Sequence, residues 1–399
     1  MLKLKTINKN KKFRGQKVLL RVDLNVKLGP DKTVDKNEDF KLQRILPTIN
    51  YLQDQGAIII LLSHLGRPQG KVDKNLSLAP IVKRLITLLG QNIKLITERD
   101  FRKIKQNVDL LKNGQIAVLE NLRFFKGEDT NSKEFAKKLA SLGDIFINDA
   151  FAVSHRASAS QVAIADYLPA YAGFLMTSEI TELTRLMKKR QRPFVTILGG
   201  AKISTKIQLV EKLSKLSDFV MLGGGLANNF LLADGKKVGK SIVEKKFIVS
   251  TKKILKKNGK KILLPIDVTV DNIKTKSVET WQKPVTDIGP NDKIIDIGTN
   301  TVRVWSKIIK AAKLIVWNGP LGIVEDRKAS HASRALAELI AARSKGSCFS
   351  IVGGGETVWL IQDMGIFDSF DYVSTGGGAM IEFLEGKVLP GIKPLLIKK

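Results

Sequence analysis

A chain of 399 residues, 43% of them hydrophobic but only 6% aromatic, is long enough to bury two aliphatic cores and too apolar to remain disordered. Its one cysteine, Cys348, excludes an internal disulfide, and no Cys/His spacing could hold zinc, which fits a reducing cytoplasm. The 67 Lys and Arg against 38 Asp and Glu leave +29 at pH 7, a charge that attracts anions; the basic residues nevertheless run along the whole chain without interleaved aromatics, so a solvated basic surface is favoured over a nucleic-acid partner.

Short runs rich in Val and Ile predict strands, in chain order, at 18–26, 57–62, 116–120, 145–148, 194–198, 219–222, 262–270, 314–317, 349–352 and 372–374. Most lead into a polar or glycine-rich corner and then a stretch of helical spacing. Strands alternating with helices predict an α/β protein with doubly wound parallel sheets, because a crossover helix returns the chain for the next parallel strand. The longest greasy run, 57–62, is far too short to span a bilayer, and no apolar stretch of signal-peptide length follows the basic residues at 1–14. Neither membrane insertion nor secretion is expected. Helical spacing over 181–189, followed by a restart at Pro193, predicts a connecting helix and hinge (176–191) between an N-terminal lobe (1–175) and a C-terminal lobe (192–387).

In open parallel sheets ligands bind beyond the carboxyl ends of the strands, so the corners are where chemistry is sought. Those of the first half are cationic and polar: Arg21, Asp23 and Asn25; His64 and Arg67; Arg123; then His155 and Arg156. Guanidinium forks bind phosphate or carboxylate bidentately, and several around one pocket make a strong anion site, although any one of them alone reads as a surface residue or ion pair. Asp23 and Asn25, two apart, would share one face of a strand and could receive the hydroxyl hydrogens of a small polar substrate; ordinary turn chemistry is the plainer reading of that pair alone.

The corners of the second half are glycine-rich: Gly199-Gly200, Gly223-Gly224-Gly225, Gly319, Gly353-Gly354-Gly355 and Gly376-Gly377-Gly378. Glycine lets the backbone approach a phosphate chain, and the helix that follows presents free N–H groups at its positive end. No common nucleotide motif is complete. Gly239-Lys240-Ser241 resembles the end of a P-loop, but its first glycine would fall on Asp234, and no triplet extends to GxGxxG. Lys202 and Lys206, four apart after Gly199-Gly200, are expected on one face of a helix, aimed at phosphates. Glu356 after a glycine triplet reads first as a helix-end dipole partner and second as a magnesium ligand.

Taken together, Arg21-Val-Asp-Leu-Asn-Val26, Ser63-His-Leu-Gly-Arg-Pro68, Glu120-Asn-Leu-Arg-Phe124, Asn148-Asp-Ala-Phe151 with Ser154-His-Arg-Ala157, Ile197-Leu-Gly-Gly-Ala-Lys202, Trp317-Asn-Gly-Pro320 and Ser374-Thr-Gly-Gly-Gly-Ala379 resemble the signature segments of the phosphoglycerate kinase family, in order and over nearly the whole chain. The resemblance implies two Rossmann-like lobes joined by a helix, with an active-site cleft between them and residues 388–399 returning to the first lobe. It implies that Asp23, Asn25, His64, Arg67, Arg123 and Arg156 bind 3-phosphoglycerate or its acyl phosphate. Lys202 would steady the transferring phosphoryl group together with the Gly376, Gly377 and Gly378 corner. Gly200, Lys206, Gly223, Gly224, Asn318, Glu325, Gly355 and Thr357 would hold ADP or ATP, with Mg²⁺ on Glu356. In-line transfer without a covalent intermediate, by a monomer that closes about its hinge, is the implied chemistry.

Two positions depart from the family's pattern. Its first-lobe arginine falls on Lys41, which keeps the charge and loses the fork, a change expected to cost on the order of a hundredfold or more in rate unless Arg44 compensates. Its magnesium-binding aspartate falls on Glu356, whose extra methylene would shift the ion. Smaller departures are Ala152 for glycine, Ser158 for histidine and Thr299 for proline. These changes and the net charge define an alternative, a catalytically weakened homologue that senses nucleotides or binds polyanions.

Overall fold

The computed structural model describes residues 2–7, 12–35, 38–188, 191–272 and 280–397, and its strands are largely the Val- and Ile-rich runs of the sequence. The chain divides into two units, Met1–Thr184 with Val388–Lys399, and Arg185–Lys387. The division falls inside the helix Phe174–Lys188. That helix begins seven residues before the periodicity suggested, and Lys189 lies outside the described residues.

The first unit holds a six-stranded sheet of β1 (Lys17–Arg21), β2 (Ile58–Leu62), β3 (Ile93–Ile96), β4 (Ile116–Leu119), β5 (Ile145–Asn148) and β6 (Ala170–Ala172), in the order β3-β4-β2-β1-β5-β6. All five pairings are parallel. The sequence Ile-Ile-Ile-Leu-Leu of β2 is buried at every residue, as expected of a strand covered on both faces. Helix Asp39–Asp54 and helix Ala79–Leu89 turn Leu42, Ile45, Ile49, Ile81, Val82 and Leu85 onto Val18, Leu20, Ile59 and Leu61. The second of these helices begins with Pro80 in its first turn and stops at Gly90, whose φ of 65° supplies the left-handed terminus. Register places Arg21 between Leu62 and Asn148. The corners after three central strands therefore open at one level, which is what assembles a site from residues far apart in sequence. Residues 389–397 pack on this unit: Lys5 N–H donates to Leu395 O at 2.8 Å, and Asn148 Nδ2 to Gly391 O at 3.0 Å.

The second unit holds β7 (Phe194–Leu198), β8 (Phe219–Leu222), β9 (Ile262–Leu263), β10 (Asp267–Asn272), β11 (Thr280–Pro284), β12 (Asp292–Ile297), β13 (Leu314–Asn318), β14 (Phe349–Gly353) and β15 (Tyr372–Val373). Six of them form a second parallel sheet in the order β15-β14-β13-β7-β8-β9, while β11-β10-β12 form a small antiparallel sheet. The expected single strand over 262–270 is thus two strands in two sheets. Pro265 lacks an N–H with which to continue a ladder; the pairing with β8 ends at Leu263 and the chain enters the small sheet at Asp267. The Asp267 carboxylate then receives Asn300 N–H and Thr301 N–H at 3.0 and 2.7 Å, fixing the start of helix Thr299–Ala311. Thr299, one of the smaller departures, opens that helix and donates its hydroxyl to Gln282 Oε1 at 2.6 Å.

Candidate functional site

In the first unit a cavity of about 550 Å³ is lined by Arg21, His64, Arg67, Arg123 and Arg156, with Gln69, Glu128, Ser158 and Gln161 among its other walls. Arg21 ends β1 with its guanidinium fully buried. Nε donates to Ser160 Oγ at 2.9 Å, and one terminal nitrogen lies 3.1 Å from His64 Nδ1. Ser160 in turn donates Oγ–H to Glu128 Oε1 at 2.6 Å, and its N–H to Oε2 at 3.1 Å. A guanidinium can only donate, so His64 Nδ1 is an acceptor and its proton sits on Nε2. Burial first, and then the charges of Arg21, Arg123 and Arg156, hold His64 well below the usual imidazole range. His64 is therefore a neutral donor at pH 7 and adds no charge to an already cationic cavity.

Arg123 is held by Asp129 Oδ1 at 2.8 Å and by Gly66 O at 2.7 Å, which fixes its fork. Arg156 and Arg67 are exposed. Burial, then the charges of Arg123 and Arg67, lowers the Arg156 pKa, so these cations repel one another until an anion joins them.

Asp23 and Asn25 do not line this cavity. The chain leaves the sheet at Arg21, not at 26 as the apolar run suggested, because Ser63 Oγ binds Val22 O and Leu24 N–H, both at 2.9 Å, and draws 22–24 off as a loop. The two-residue strand spacing is lost with it: Asp23 Oδ1 accepts from Asn25 N–H, and Asn25 Oδ1 from Gly66 N–H at 3.0 Å. Lys41 is also absent from the walls and pairs with Glu38 at 2.5 Å. Arg44 lies near the buried carboxylate of Asp149, where its charge opposes the effect of burial. Desolvation still wins and raises Asp149 to about 6.

In the second unit the corners after β7, β8, β13 and β14 converge. Gly199 could not carry a side chain, since a Cβ would sit 1.9 Å from Pro320 O. Gly319 has a φ of 92°, and its N–H donates to Thr357 Oγ1 at 2.9 Å. Lys206 Nζ fills the space between these turns, donating to Gly199 O at 2.6 Å and to Asn318 O at 3.0 Å. Its ammonium end is buried, which pulls it down to about 8 while the Glu356 charge pulls it back. The expected single helical face for Lys202 and Lys206 is corrected: 203–205 form a 3₁₀ turn and the α-helix starts only at Ile207. Lys202 is consequently exposed while Lys206 turns inward.

Gly200, Gly224, Glu325 and Glu356 line one cavity with Ala201, Asn228, Lys293, Pro320 and four isoleucines. Glu356 is exposed in the first turn of helix Gly355–Asp363, with Gly354 before it at φ 95°. Gly223 opens helix Gly224–Ala233, and Gly376 opens helix Gly377–Leu384, which contains Gly378. Neither they, nor Asn318, Gly355, Thr357, Lys202 and Lys206, line that cavity; Lys206, Asn318 and Thr357 form the bonded turn beside it.

Sequence reasoning missed Glu128, Ser160, Gln161, Gln69 and Asn228. Glu128 sits in Lys126-Gly-Glu-Asp129, which reads as solvated surface, yet it is 1% exposed. Only the small residues 157–160 after Arg156 hinted that something packs closely there.

Cationic strand ends in one α/β unit, and glycine turns opening helices around a buried lysine in the other, define a phosphotransferase. The family model for phosphoglycerate kinase matches residues 8–387. A relative named phosphoglycerate kinase from Borrelia garinii subsp. bavariensis is 42% identical over 400 residues, covering 99% of this chain and all of that one. One from Chloroflexus aggregans is 41% identical, covering 96% of each chain. The solved phosphoglycerate kinase of Coxiella burnetii superposes with a TM-score of 0.82 at 39% identity and 97% coverage of both chains; that of Pyrococcus horikoshii gives 0.86 at 31% identity, covering 99% and 98%. The chain belongs to the phosphoglycerate kinase family and is a glycolytic kinase.

Proposed function

We propose that this chain transfers the acyl phosphate of 1,3-bisphosphoglycerate to MgADP, reversibly, giving 3-phosphoglycerate and MgATP. The observation that carries the reading is the cavity where Arg67, Arg123 and Arg156 join a neutral His64 and an Arg21 that Glu128 braces through Ser160. A small dianionic phosphate ester with a carboxyl group satisfies those forks and removes their mutual repulsion. Arg123 and Arg156 bind the phosphate ester, and His64 Nε2–H donates to it without competing for its charge. Asp23 and Asn25 act from the adjoining loop on the substrate's hydroxyl.

The nucleotide belongs to the second unit. Gly200 and Gly224 let its backbone approach, Thr357 and Asn318 hold the turn at Gly319, Lys206 meets a phosphate, and Glu325 takes the ribose hydroxyls. Lys202, exposed beside them, and the Gly376–Gly378 corner are assigned to the transferring group. Glu356, an exposed carboxylate that lines the cavity and whose charge acts on Lys206, fits Mg²⁺, which is usually held by one or two carboxylates together with substrate phosphates. Among the described residues no group of three or more His, Cys, Asp or Glu competes as a metal cage. Bound there, Mg²⁺ supplies charge neutralisation to the phosphates. The residues themselves position both partners and exclude water, which suffices for in-line transfer.

The proposal includes a monomeric cytoplasmic enzyme that moves about the helix Phe174–Lys188 during turnover. Among the described residues no helix is long and apolar enough to cross a membrane. No observation favours the polyanion-binding alternative. A coupled assay supplying 1,3-bisphosphoglycerate and MgADP tests the reading: ATP must appear at a rate proportional to enzyme, and no turnover at high enzyme concentration rejects it.

A further inference from the structure

The basic charge is denser in one stretch than its run along the chain suggests. Across the whole sequence 38 Asp and Glu accompany 67 Lys and Arg, whereas residues 245–261 carry eight lysines and no acidic residue. Most of the stretch forms helix Ile248–Asn258, which packs on helices Gly224–Ala233 and Ile207–Leu216. Its inner side holds the buried Thr251 and Ile254, while Lys252, Lys253, Lys256 and Lys257 are exposed, as are the flanking Lys245, Lys246 and Lys260. Val249, 67% exposed, stands one turn before Lys252 and Lys253 and shares their face.

Exposed lysines on other helices are paired with a carboxylate one turn away, as in Lys105 with Asp109, Lys138 with Glu134 and Lys215 with Glu211. Among the described residues none of the eight lysines here forms an ion pair. The acids close by are engaged: Glu244, which the charge of Lys246 reaches, accepts Ser204 N–H at 2.8 Å, and Glu211 pairs with Lys215 at 3.2 Å. Lys252 and Lys253 instead meet Lys256 and Lys257 at i,i+4, a like-charge arrangement that opposes the helix. Lys245 and Lys246 add charge at its positive N-terminal end. The repulsion is left unrelieved within the chain, and an anionic surface laid against this face would relieve it.

Two observations select among anionic surfaces. Phe247, the single aromatic residue of the stretch, has Lys246 Nζ over its ring at 5.2 Å, so no free ring is offered for stacking on a base. Beside the lysines lies a groove of about 430 Å³ whose walls include Ile207, Phe247 and Ile254 together with Lys253 and Lys257. Apolar walls next to ammonium groups, and an exposed valine among lysines, match hydrocarbon lying next to phosphate, which a phospholipid has and a nucleic acid lacks. We propose that this face docks the enzyme reversibly on bilayers rich in anionic phospholipid, with the lysines on headgroup phosphates and Val249 toward the acyl boundary. The contact is superficial, and it uses none of the residues assigned above to substrate or nucleotide.

Co-sedimentation of the full chain with vesicles tests the proposal, comparing phosphatidylcholine alone with a mixture of phosphatidylglycerol and phosphatidylcholine. At about 0.15 M salt the anionic vesicles should bind at least about a hundredfold more tightly than the neutral ones, and binding should be lost by about 0.5 M. A lysine near an anionic bilayer is worth about a fivefold factor, so Lys252→Gln, Lys253→Gln, Lys256→Gln and Lys257→Gln combined should lower affinity at least about thirtyfold, with kcat unchanged. Lys→Arg at the same four positions should keep affinity within about threefold of wild type. So should Lys83→Gln, Lys103→Gln, Lys112→Gln and Lys133→Gln combined, which remove as much charge from exposed positions of the first unit. Urea midpoints are compared for all variants; if the fourfold change in the helix unfolds the chain, Lys253→Gln with Lys257→Gln is read in its place, with a loss of about tenfold expected. Equal binding to neutral and anionic vesicles overturns the proposal, as does an equal loss of affinity in the helix and first-unit variants. Tighter binding of a mixed-sequence single-stranded RNA than of the anionic vesicles, through the same four lysines, also overturns it and assigns the face to nucleic acid.

Discussion

Lys206 offers a measurable consequence of burial. In the chain without nucleotide its ammonium is held at about 8, since it has lost water and gained two carbonyl acceptors, with the Glu356 charge giving partial support. A depressed lysine pKa means that the folded site prefers the neutral amine above pH 8, whereas a nucleotide phosphate prefers the ammonium. Binding must then take up a proton wherever the free site is neutral. For a pKa of 8 the neutral fraction is about 0.1 at pH 7, about 0.5 at pH 8 and about 0.9 at pH 9, and uptake follows these values provided the phosphate restores the pKa to the ordinary lysine range of about 10.4. Affinity for MgADP should fall about twentyfold between pH 7.5 and pH 9.5, a window in which the diphosphate itself no longer titrates. Calorimetric titrations in two buffers of different ionisation enthalpy read the uptake directly. Lys206→Arg keeps a cation that does not titrate below about pH 12, so its uptake should be near zero and its affinity flat across the same window. Uptake below about 0.2 protons at pH 9 in the wild-type chain, or undiminished uptake in Lys206→Arg, would refute the argument.

Three further outcomes follow from named contacts. Glu128→Gln removes the buried charge facing Arg21 through Ser160 and sets an amide N–H against Ser160 N–H; it should cost about 1–3 kcal/mol of stability in urea titration and raise KM for the phosphoglycerate at least about tenfold, with KM for ADP unchanged. Lys41→Arg restores the fork, and a gain of about tenfold or more in kcat would mark the Glu38-paired lysine as a handicap, while no gain would show that another group already fills the role. Asp149, raised by burial to about 6, contributes stability that is complete below its unfolded value near 4 and is lost as pH rises through 6. Relative to Asp149→Asn, the wild-type chain should accordingly lose about 2 kcal/mol between pH 4 and pH 8, a difference read by urea unfolding at the two pH values.

The parallel sheets were legible because strands such as Ile58–Leu62 and Phe194–Leu198 are buried at every residue and apolar throughout save Thr196, and a period that needs no phase is hard to misread. Strands β3 and β11 were not, nor were β6 and β12. The first has a single exposed lysine amid three aliphatic residues, and the second, Thr-Trp-Gln-Lys-Pro, has no buried residue at all. Its pairing comes from β10 alone, a tertiary cause that no local pattern carries. Arg21, His64, Arg67, Arg123 and Arg156 could be found from their position after strands, since the sheet register fixes where strand ends open. The loop geometry of Asp23 and Asn25 could not, because it depends on Ser63, which is distant in sequence and bonds the chain away from the strand. Lys202 and Lys206 depart from the expected common face for a related reason: the preceding glycines suggest helical spacing, but the first turn tightens to i+3 bonds and sends the two side chains to different surroundings.

The net charge of +29 and the anion site are separate properties. Exposed lysines act over a screening length of roughly 8 Å at physiological salt and add at most a general attraction for anions. The cavity of the first unit gains its specificity from groups that remove or fix charge. His64 is kept neutral, Glu128 anchors Arg21 through a hydroxyl, and Asp129 holds the Arg123 fork at 2.8 Å. In the second unit Lys206 is partly discharged by its own burial, and on the proposed assignment backbone turns carry the recognition. A chain with most of its surface lysines changed to neutral residues should therefore keep its kcat and lose only salt-sensitive encounter rate, whereas the single uncharged substitution Ser160→Ala, which unties Arg21 from Glu128, should damage phosphoglycerate binding without altering net charge.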